Sequence, residues 1–570
     1  MTSTYDTLLA RLQRAFDVLE PGADPVLRTS ERSDYQANGV MSLAKRLGRP
    51  PREVADEIMG HADLDGVASV EVAGPGFLNL TLRPAFLAEQ LSALLGDNRL
   101  GIATAPEPKT VVIDYSAPNV AKEMHVGNLR STVIGDALAR SYRFAGHRVI
   151  ARNHVGDWGT PFAMLIEHLL DAGEGNAALS IGDLDGFYKE ARVKFDGDDA
   201  FKERSRARVV ALQSGDPETL RLWRIIVDQS ISYLDLVYED LGVSLEIADV
   251  VGESYYNDML GDVVADLYLA GLLVDSGGAL CVFPPGFTNR DGEALPLIVQ
   301  KSDEGFGYAA SDLAAVRDRV DNLHADEMLY VVGVPQAQHF EMVFAVARLA
   351  GWLPDRVRCE HVTFGNVLGT DRKMFKSRSG ETVKLASLLG EAIERADEAL
   401  KGRNTDLDEM GRTQLAVQIA RAAIKYADLS TDRQHDYVFD LDRMIAFEGD
   451  TGPYLQYAHA RLRSIFRRLG EEWSPSSVTF ALAVDQERHL ALGLLAFPEA
   501  FDAALVNLQP HRLCVYLFDL AQRLTAFYDA CPVLSSEGAM REQRLALCDL
   551  AARTLSTGLS VLGIDAPEKM

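Results

Sequence analysis

The chain has 570 residues, of which 47% are hydrophobic and 25% are charged, and its formal net charge is -26 at pH 7. A chain of this length exceeds what one hydrophobic core supports, so we expect several domains. The negative charge argues against a protein that coats nucleic acid, because that class neutralises phosphates across a broad basic surface. An RNA enzyme with a local basic track is compatible with this charge.

The cysteines are scattered and include no C-x-x-C pair, which argues against a disulfide framework and against structural zinc. They are Cys281, Cys359, Cys514, Cys531 and Cys548. There is no signal-peptide pattern and no apolar stretch long enough to span a bilayer, so we expect a cytoplasmic protein without a membrane partner.

The first 104 residues have the pattern of a small α+β domain. Leu8, Leu12 and Phe16 recur at helical spacing. Residues 67–72 and 77–82 are β-rich runs on either side of a Gly-Pro-Gly turn, which predicts a hairpin. Two prolines just beyond residue 104 then mark a linker to the next domain.

Residues 111–159 predict the start of a nucleotide-binding fold. Residues 111–115 and 148–155 are short runs rich in β-branched residues, and the segment between them is helical in period through Leu129 and Val133. A strand, a helix and a second strand in this order indicate a parallel pair with a crossover.

The loop before this predicted helix reads His125-Val126-Gly127-Asn128. Gly127 has no Cβ to keep a ligand from the backbone, and the free amides at a helix start favour phosphate. A histidine there can donate a hydrogen bond to an anion. The alternative interpretation is an ordinary strand-to-helix turn that His125 caps.

From about 170 to 280 the pattern is mostly helical, which predicts an insertion between two halves of a sheet. A basic cluster at 202–208 is either a solvated helix face or a contact to an RNA backbone. We place the start of the second half near Leu297, where residues 297–301 form a strand candidate.

Tyr308 and Asp312 lie four residues apart, so they share a face if a helix has already begun at Tyr308. A carboxylate can take two parallel N–H bonds from a guanidinium, and a phenol beside it can stack or accept. The alternative is that Ser311 or Asp312 only caps the helix.

Two more strands are predicted at 329–333 and 358–364. Gln338 and His339 follow the first of them and either line a substrate site or begin a helix.

The loop at 372–383 contains glycine and serine together with the cations Lys373, Lys376 and Arg378. Such cations can neutralise the charge that builds on a leaving pyrophosphate. The alternative is a solvated charged loop. Beyond about residue 405 we predict only helices, including the run 436–469, and their apolar stripes indicate a bundle.

Several of these stretches resemble one family. Residues 115–128, with Ser116, Pro118, Asn119, Lys122 and His125, resemble the ATP-binding signature of class I aminoacyl-tRNA synthetases in its arginyl-tRNA synthetase form. The family's second histidine is Asn128 here. The loop at 372–383 resembles the second signature of that class, and residues 447–461 resemble the entry to the family's anticodon-binding domain.

The resemblance implies an α/β fold: a Rossmann-like class I synthetase catalytic domain with helical insertions, an N-terminal α+β domain and a C-terminal all-α bundle. The implied domains are 1–104, which contacts tRNA; 105–404, which is catalytic and contains the insertion; and 405–570, which binds the anticodon. In the family a stretch like 74–79 belongs to the tRNA-contacting domain. A hairpin that has only a structural role and contacts no tRNA explains those residues equally well.

The implied activity is that of an arginine–tRNA ligase, which forms arginyl-adenylate from L-arginine and ATP and then charges tRNA(Arg). ATP would be a substrate and Mg2+ would accompany it, and no zinc is expected. Members of the family are usually monomeric. One alternative is a diverged paralogue, a resistance copy or an arginyl donor, because Asn128 replaces a histidine. The other is a nucleotidylyltransferase of the same superfamily.

The resemblance also assigns roles to residues. The catalytic set is His125, Asn128, Lys122, Lys376, Ser377 and Arg378. The ATP-binding set is His125, Gly127, Asn128, Lys373 and Lys376. The arginine-binding set is Asp114, Asn119, His125, Tyr308, Asp312 and Gln338, with Asp114 on the α-ammonium group. The tRNA-binding set is Tyr454, Tyr457, Arg461 and Arg463, with Arg467 and Arg468 continuing a basic track.

Overall fold

The computed structural model describes residues 2–30, 32–120, 122–173, 184–302, 305–375, 383–401, 407–470, 473–474 and 478–570. The chain divides into two compact units. The first contains residues 1–104, 447–560 and 565–570, and the second contains residues 105–446 and 561–564. Residues 405–446 thus belong to the second unit. Compact units and sequence domains need not coincide, so the predicted domain bounds stay predictions.

The helices are α1 Thr4–Leu19, α2 Val40–Leu47, α3 Pro51–His61, α4 Pro84–Leu95, α5 Val126–Phe144, α6 Thr160–Ala172, α7 Leu184–Gly197, α8 Asp199–Gln213, α9 Pro217–Leu241, α10 Asn257–Leu269, α11 Tyr308–Asp321, α12 Ala337–Leu349, α13 Leu385–Lys401, α14 Glu409–Leu429, α15 Leu441–Met444, α16 Gly452–Leu469, α17 Asp485–Leu495, α18 Phe497–Val506, α19 Pro510–Ala530 and α20 Gly538–Val561.

The strands are β1 Leu27–Thr29, β2 Tyr35–Ala37, β3 Ala68–Ala73, β4 Phe77–Leu82, β5 Thr110–Asp114, β6 Arg148–Val155, β7 Val250–Gly252, β8 Val274–Ser276, β9 Ala279–Val282, β10 Leu297–Gln300, β11 Glu327–Tyr330, β12 Arg358–His361, β13 Val367–Leu368 and β14 Tyr437–Val438. Three short 3₁₀ turns, Ile247–Asp249, Glu253–Tyr256 and Val334–Gln336, lie between them.

The first unit combines an antiparallel sheet of order β1-β2-β4-β3 with nine helices of the described chain. The predicted stripe of α1 is confirmed, because Leu8, Leu12 and Phe16 are fully buried. The predicted hairpin is confirmed as well, since β3 and β4 pair antiparallel up to Ala73 opposite Phe77.

One stretch of this unit corrects an expectation. Asp485–Val506 is long and apolar enough by composition to cross a membrane, whereas we expected no such stretch from the sequence. The structure divides it into α17 and α18, because Pro498 in the first turn of α18 cannot continue the preceding helix. Half of this apolar stretch is buried within the protein, and both helices contribute side chains to the core, among them Leu494 and Phe501.

The second unit is built on a five-stranded sheet of order β12-β11-β5-β6-β7, in which every neighbouring pair is parallel. The predicted crossover is confirmed: β5 leads through α5 to its parallel neighbour β6. Val112 faces a cluster formed with α10, α11 and α12. Tyr115 lies an odd number of residues from Val112, so its side chain is on the other face of the sheet. There it contacts α5, where a Cβ on Gly135 would stand 2.2 Å from the Tyr115 Cβ. Helices therefore cover both faces, as parallel sheets require.

Two predictions about this unit are wrong. The strand at 297–300 exists, but it pairs antiparallel with β9 in a separate three-stranded sheet. The second half of the central sheet instead begins at Glu327, and its edge strand β7 lies inside the predicted helical insertion. A strand of three residues is too short to show a period of two.

The run 436–469 is not continuously helical either. Residues 437–438 form β14, which pairs parallel with β13, and the long helix α16 begins only at Gly452. Beyond residue 405 the described chain therefore contains one short strand.

Candidate functional site

The site lies at the carboxyl edge of the central sheet, where ligands of open α/β folds bind. Asp114 ends β5, Asp157 follows β6, and Glu253 follows β7. The strands are neighbours, so three carboxylates from three separate parts of the chain arrive at one edge.

The loop that contains His125 leads into α5. His125 is the N-cap: its Nδ1 accepts the Gly127 N–H at 3.0 Å, and its own N–H donates to Oδ1 of Asn128 at 3.1 Å. Since Nδ1 is an acceptor here, the neutral ring carries its proton on Nε2. Burial and the nearby Lys122 ammonium lower the pKa of His125, which favours that neutral form.

Gly127 is required by this geometry. A Cβ at position 127 would stand 2.7 Å from Cε1 and 2.8 Å from Nδ1 of His125. The capping by His125 is confirmed. Gly127 is exposed, so the backbone at the helix start is open to solvent, and phosphate binding there stays a prediction.

The C-terminal end of the second loop joins the His125 loop. Val126 N–H donates to the Val383 carbonyl and Leu385 N–H donates to the Met124 carbonyl, both at 3.0 Å. An ion pair of 2.9 Å between Lys384 and Glu123 adds to this junction. At the other end of the loop, the exposed Lys373 belongs to a turn in which Gly369 N–H donates to its carbonyl. The predicted residues Lys376, Ser377 and Arg378 lie outside the described part of the chain.

Lys122 is exposed, and its ammonium lies 4.5 Å from the ring centroid of Tyr188 on α7. This cation–π contact holds the side chain close to the His125 loop. The adjacent Phe187 fixes α7 on α6 through a ring contact of 4.5 Å with His168.

Asp114 is buried, and its Oδ2 accepts a hydrogen bond of 2.6 Å from Nη2 of Arg319, which is only 1% exposed. Its other oxygen, Oδ1, is buried with no hydrogen-bond partner among the described residues. Nδ1 of His154 lies 3.9 Å from Oδ2, the same oxygen that Arg319 contacts. The guanidinium of Arg319 also lies over the Tyr330 ring, at 4.8 Å from its centroid.

The remaining residues of the predicted arginine-binding set lie on α11, on α12 and after β5. The predicted helix start is confirmed, since α11 begins at Tyr308 and Asp312 follows one turn later on the same face. Tyr308 is 73% exposed, and partial desolvation together with the carboxyl of Glu253 raises its pKa. Gln338 is exposed in the first turn of α12, and Asn119 forms a bridge with Gly156.

A second candidate surface lies in the first unit, on α16. Tyr454, Tyr457 and Arg461 line one open pocket, together with Tyr528 of α19. The Arg461 guanidinium lies 3.8 Å from the centroid of the Tyr528 ring. Aromatic faces beside an arginine are the features that stack and pair with unstacked bases.

The predicted basic track is only partly open. Nε of Arg463 donates to Glu568 at 2.8 Å, and Arg467 donates to the Glu568 carbonyl. Arg468 is exposed. The C-terminal residues therefore neutralise part of the positive charge along α16.

Sequence reasoning missed several residues of the carboxyl edge, most clearly Glu253, Arg319 and His154. The signal for Glu253 was an acidic residue directly after a short β-branched run, but that run lies in a segment assigned to helices. Arg319 gives no local signal, because it lies 205 residues from Asp114 along the chain.

Comparisons with known proteins match the whole chain. Three family models match: the arginyl tRNA synthetase N terminal domain at residues 6–82, the catalytic domain of class I (R) tRNA synthetases at 90–441, and the DALR anticodon binding domain at 455–570. The chain is 53% identical to the arginine–tRNA ligase of Thermobifida fusca, over 99% of each chain.

Solved structures agree with this match. The arginyl-tRNA synthetase of Plasmodium falciparum superposes with a TM-score of 0.86 at 29% identity, over 100% of each chain. That of Thermus thermophilus gives 0.84 at 27% identity, over 99% of each chain. The chain therefore belongs to the arginyl-tRNA synthetase family of class I aminoacyl-tRNA synthetases.

Proposed function

We propose that this chain activates L-arginine with ATP and transfers the arginyl group to the 3′ end of tRNA(Arg), releasing pyrophosphate and AMP. The full-length relationship to the Thermobifida fusca protein is the observation that carries this proposal. In the first step the arginine carboxylate attacks the α-phosphate of ATP. In the second, a terminal ribose hydroxyl of the tRNA takes the arginyl group. Catalysis on this route consists of positioning and charge stabilisation.

The phosphate end of the site is the start of α5. His125 offers a neutral Nε2–H to a phosphate oxygen, while Gly127 lets the triphosphate approach the helix amides. Oδ1 of Asn128 accepts the His125 N–H, so the side-chain amide N–H₂ group of Asn128 would be the donor offered to ATP. Lys122 would leave the Tyr188 ring to neutralise charge on the leaving pyrophosphate, together with Lys373 and the predicted cations Lys376 and Arg378. Ser377 belongs to the same predicted loop.

Magnesium would enter with ATP. In the described part of the chain no three His, Cys, Asp or Glu side chains are arranged to hold a metal ion. The chemistry suits Mg2+ held mainly by phosphate oxygens and water, which screens the negative charge of the triphosphate.

The amino-acid end of the site lies along the carboxyl edge of the sheet. Asp312 would take the guanidinium with two parallel hydrogen bonds, and Tyr308 would lie against it. Asn119 and Gln338 would contact the α-carbon end of the amino acid. Because Arg319 already pairs with Asp114, the buried Oδ1 is the atom of that side chain left for the substrate cation.

The pocket on α16 is the proposed RNA site of the first unit. Tyr454 and Tyr457 would stack bases of the anticodon loop, and Arg461 and Arg463 would contact its backbone. The enzyme is proposed to act as a monomer in the cytoplasm.

A charging assay tests the proposed function. The purified chain is incubated with ATP, Mg2+, total tRNA and each of the twenty amino acids in turn. We expect acid-precipitable aminoacyl-tRNA with arginine alone. The kcat/KM for lysine should be lower by about 10⁴ or more, because a site built on hydrogen bonds excludes a ligand that leaves them unpaired. Charging with another amino acid, or release of a nucleotidyl-transfer product as the final product with no charging of tRNA, would overturn the proposal.

A further inference from the structure

The chain leaves β5 through two residues with a left-handed backbone. The N–H of Tyr115 still pairs with the Arg152 carbonyl of β6, at 3.0 Å. Ser116 and Ala117 then have φ angles of 71° and 44°. Residues with a Cβ adopt this region only at a cost in energy, and they keep it where the surrounding structure holds them. The loop that leads to His125 therefore starts with a strained pair of residues.

This strained pair determines where the next residues of the loop lie. Beyond it, the backbone of residues 118–120 pairs with both the N–H and the carbonyl of Gly156, each at 3.2 Å. The N–H of Lys122 then donates to the Asn119 carbonyl at 3.2 Å. A change of φ in the strained pair would move Asn119 and Lys122 together, and both belong to the proposed site.

Side chains from α5 and β6 hold the backbone of the strained pair. The N–H of Ser116 donates to Oγ of Ser131, and the N–H of Ala117 donates to Oδ1 of Asn153, both at 2.9 Å. Ser131 and Asn153 are buried. These bonds satisfy the two N–H groups that the turn removes from the hydrogen-bond ladder of the sheet.

Tyr238 of α9 connects these supports to one another. Its phenol oxygen accepts a hydrogen bond of 2.8 Å from Nδ2 of Asn153 and lies 2.8 Å from Oγ of Ser116. Since the amide of Asn153 donates to the phenol oxygen, the phenol proton is left to donate to Ser116. Burial raises the pKa of Tyr238 to about 12, so the group keeps that proton at neutral pH.

The network continues to the first turn of α5 and is anchored at its other end. Oγ1 of Thr132 lies 2.8 Å from Oγ of Ser116 and 2.8 Å from the Asn128 carbonyl. At the end of α9, one turn beyond Tyr238, the ammonium group of Lys425 on α14 donates to the Gly242 carbonyl at 2.6 Å. The phenol is thus presented by a helix whose position does not depend on the loop.

We propose that Tyr238 is a positioning residue for the formation of arginyl-adenylate: its hydroxyl group holds Ser116 and Ala117 in the left-handed conformation. That conformation places Asn119 and Lys122 for the reaction. The inference rests on the proposed function, in which Asn119 contacts the α-carbon end of arginine and Lys122 neutralises the leaving pyrophosphate. The guanidinium and the triphosphate are assigned to α11 and to the start of α5. Loss of the hydroxyl should therefore disturb the alignment of the reacting groups more than the binding of either substrate.

The test uses the full-length chain and arginine-dependent pyrophosphate exchange in the presence of tRNA(Arg), well below the midpoint of thermal unfolding. Tyr238→Phe keeps the buried ring and removes only the hydroxyl group. We expect kcat to fall at least about 10-fold and the KM values for arginine and ATP to stay within about 3-fold, because a small misplacement of reacting groups lowers the rate itself.

The matched control is Tyr142→Phe. The Tyr142 hydroxyl, on α5, donates to the buried Glu327 at the same distance of 2.8 Å and lies outside the network around Ser116. This control removes one buried hydrogen bond of a phenol, as the test variant does, so its effect on stability should be comparable. Its kcat should stay within about 2-fold of the wild type.

A second substitution separates positioning of the backbone from packing of the core. Glycine adopts a left-handed φ without strain, so Ala117→Gly reduces the need for the network and keeps the N–H that donates to Asn153. Its effect on kcat should therefore be more favourable in Tyr238→Phe than in the wild type, by at least about 3-fold. A phenol that only fills the core would give the same effect of Ala117→Gly in both backgrounds.

If Tyr238→Phe does not fold, Ser116→Ala removes the same hydrogen bond from the side of the loop. It should show the same loss of kcat and the same dependence on Ala117→Gly. A kcat of Tyr238→Phe within about 2-fold of the wild type, an equal loss in Tyr142→Phe, a loss confined to KM, or equal effects of Ala117→Gly in both backgrounds would overturn the inference alone. A wild-type chain without arginine-dependent exchange would overturn the proposed function and this inference with it.

Discussion

Nε2 of His339 lies 2.6 Å from Oδ2 of Asp312, so α12 holds the carboxylate that the first turn of α11 presents. The Asp312 side chain is 17% exposed. Its Oδ1 has no hydrogen-bond partner in the described part of the chain. A carboxylate fixed through one oxygen is preorganised for a substrate cation at the other, because less side-chain freedom is lost on binding.

Replacement of Asp312 by alanine should lower kcat/KM for arginine at least about 100-fold, which corresponds to about 3 kcal/mol of transition-state stabilisation. The KM for ATP should stay within about 3-fold, since Asp312 lies on α11 and not in the loop that leads into α5. Asp321→Ala is the matched control, because Asp321 is 61% exposed on the same helix. Normal aminoacylation by Asp312→Ala, measured with tRNA(Arg), would show that the guanidinium site lies elsewhere.

Gly127→Ala should disturb the His125 ring while leaving the fold intact. The new Cβ would stand within 2.8 Å of ring atoms, so the imidazole must leave its contact with the Gly127 N–H. We expect the KM for ATP to rise at least about 10-fold in pyrophosphate exchange, with the midpoint of thermal unfolding little changed. At Gly390 on α13 a Cβ meets nothing within 4 Å, so Gly390→Ala should keep full activity and gain up to about 1 kcal/mol of stability. Unchanged ATP kinetics in Gly127→Ala would contradict the role of the His125 ring.

Local sequence patterns predicted the first half of the central sheet, since β5, α5 and β6 are long enough to show the repeat of apolar residues that is typical of a strand or a helix. They also located the His125 loop and the helix start at Tyr308. They failed for β7 and β14, which are three and two residues long and owe their conformation to pairing with distant strands. The partners Arg319 and Glu253 were missed for a related reason: contacts across the sheet edge depend on strand order, which periodicity does not give.

The ion pair between Arg130 of α5 and Asp428 of α14 should be the costliest contact to break. Nε of Arg130 lies 3.3 Å from the Asp428 carboxylate, Nη1 donates to the His435 carbonyl, and the two side chains are 1% and 0% exposed. Arg130→Met leaves a buried charge uncompensated, which costs about 3–5 kcal/mol of unfolding free energy. Urea denaturation should show this loss.

The same variant should be more sensitive to pH than the wild type. Burial raises the pKa of Asp428 even beside Arg130, so without that cation the folded protein holds the proton more strongly. A carboxyl group whose pKa is higher in the folded chain than in the unfolded chain makes the protein less stable as the pH rises. Arg130→Met should therefore lose more stability at pH 8 than at pH 5, and adding Asp428→Asn should restore part of it. A loss independent of pH would contradict this account.

Arg461→Met should weaken tRNA(Arg) binding about 10-fold and reduce the slope of log affinity against log salt by about one, because one phosphate contact is lost. The Arg461 guanidinium lies over the Tyr528 ring, and from this position it can also stack on a base. Affinity for arginine, measured without tRNA, should not change. Arg512→Met, which removes an exposed arginine from the first turn of α19, is the control and should leave the salt dependence as it is. Equal effects of the two substitutions would indicate general charge attraction instead of a site.

Glu499→Gln should make the protein more stable in mildly alkaline solution. Burial and the carboxylate of Asp6 raise the pKa of Glu499 to about 7, and its Oε2 has no hydrogen-bond partner among the described residues. In the folded chain this group keeps its proton to higher pH than in the unfolded chain, so its stabilising effect is complete below pH 4.5 and disappears as the pH rises through 7. Glutamine removes this dependence and should gain about 1–3 kcal/mol at pH 8 with little gain at pH 5. The difference in unfolding free energy between the wild type and Glu499→Gln, from urea denaturation at these two pH values, measures the effect. An equal gain at both would show that Glu499 is already ionised in the folded protein at pH 5.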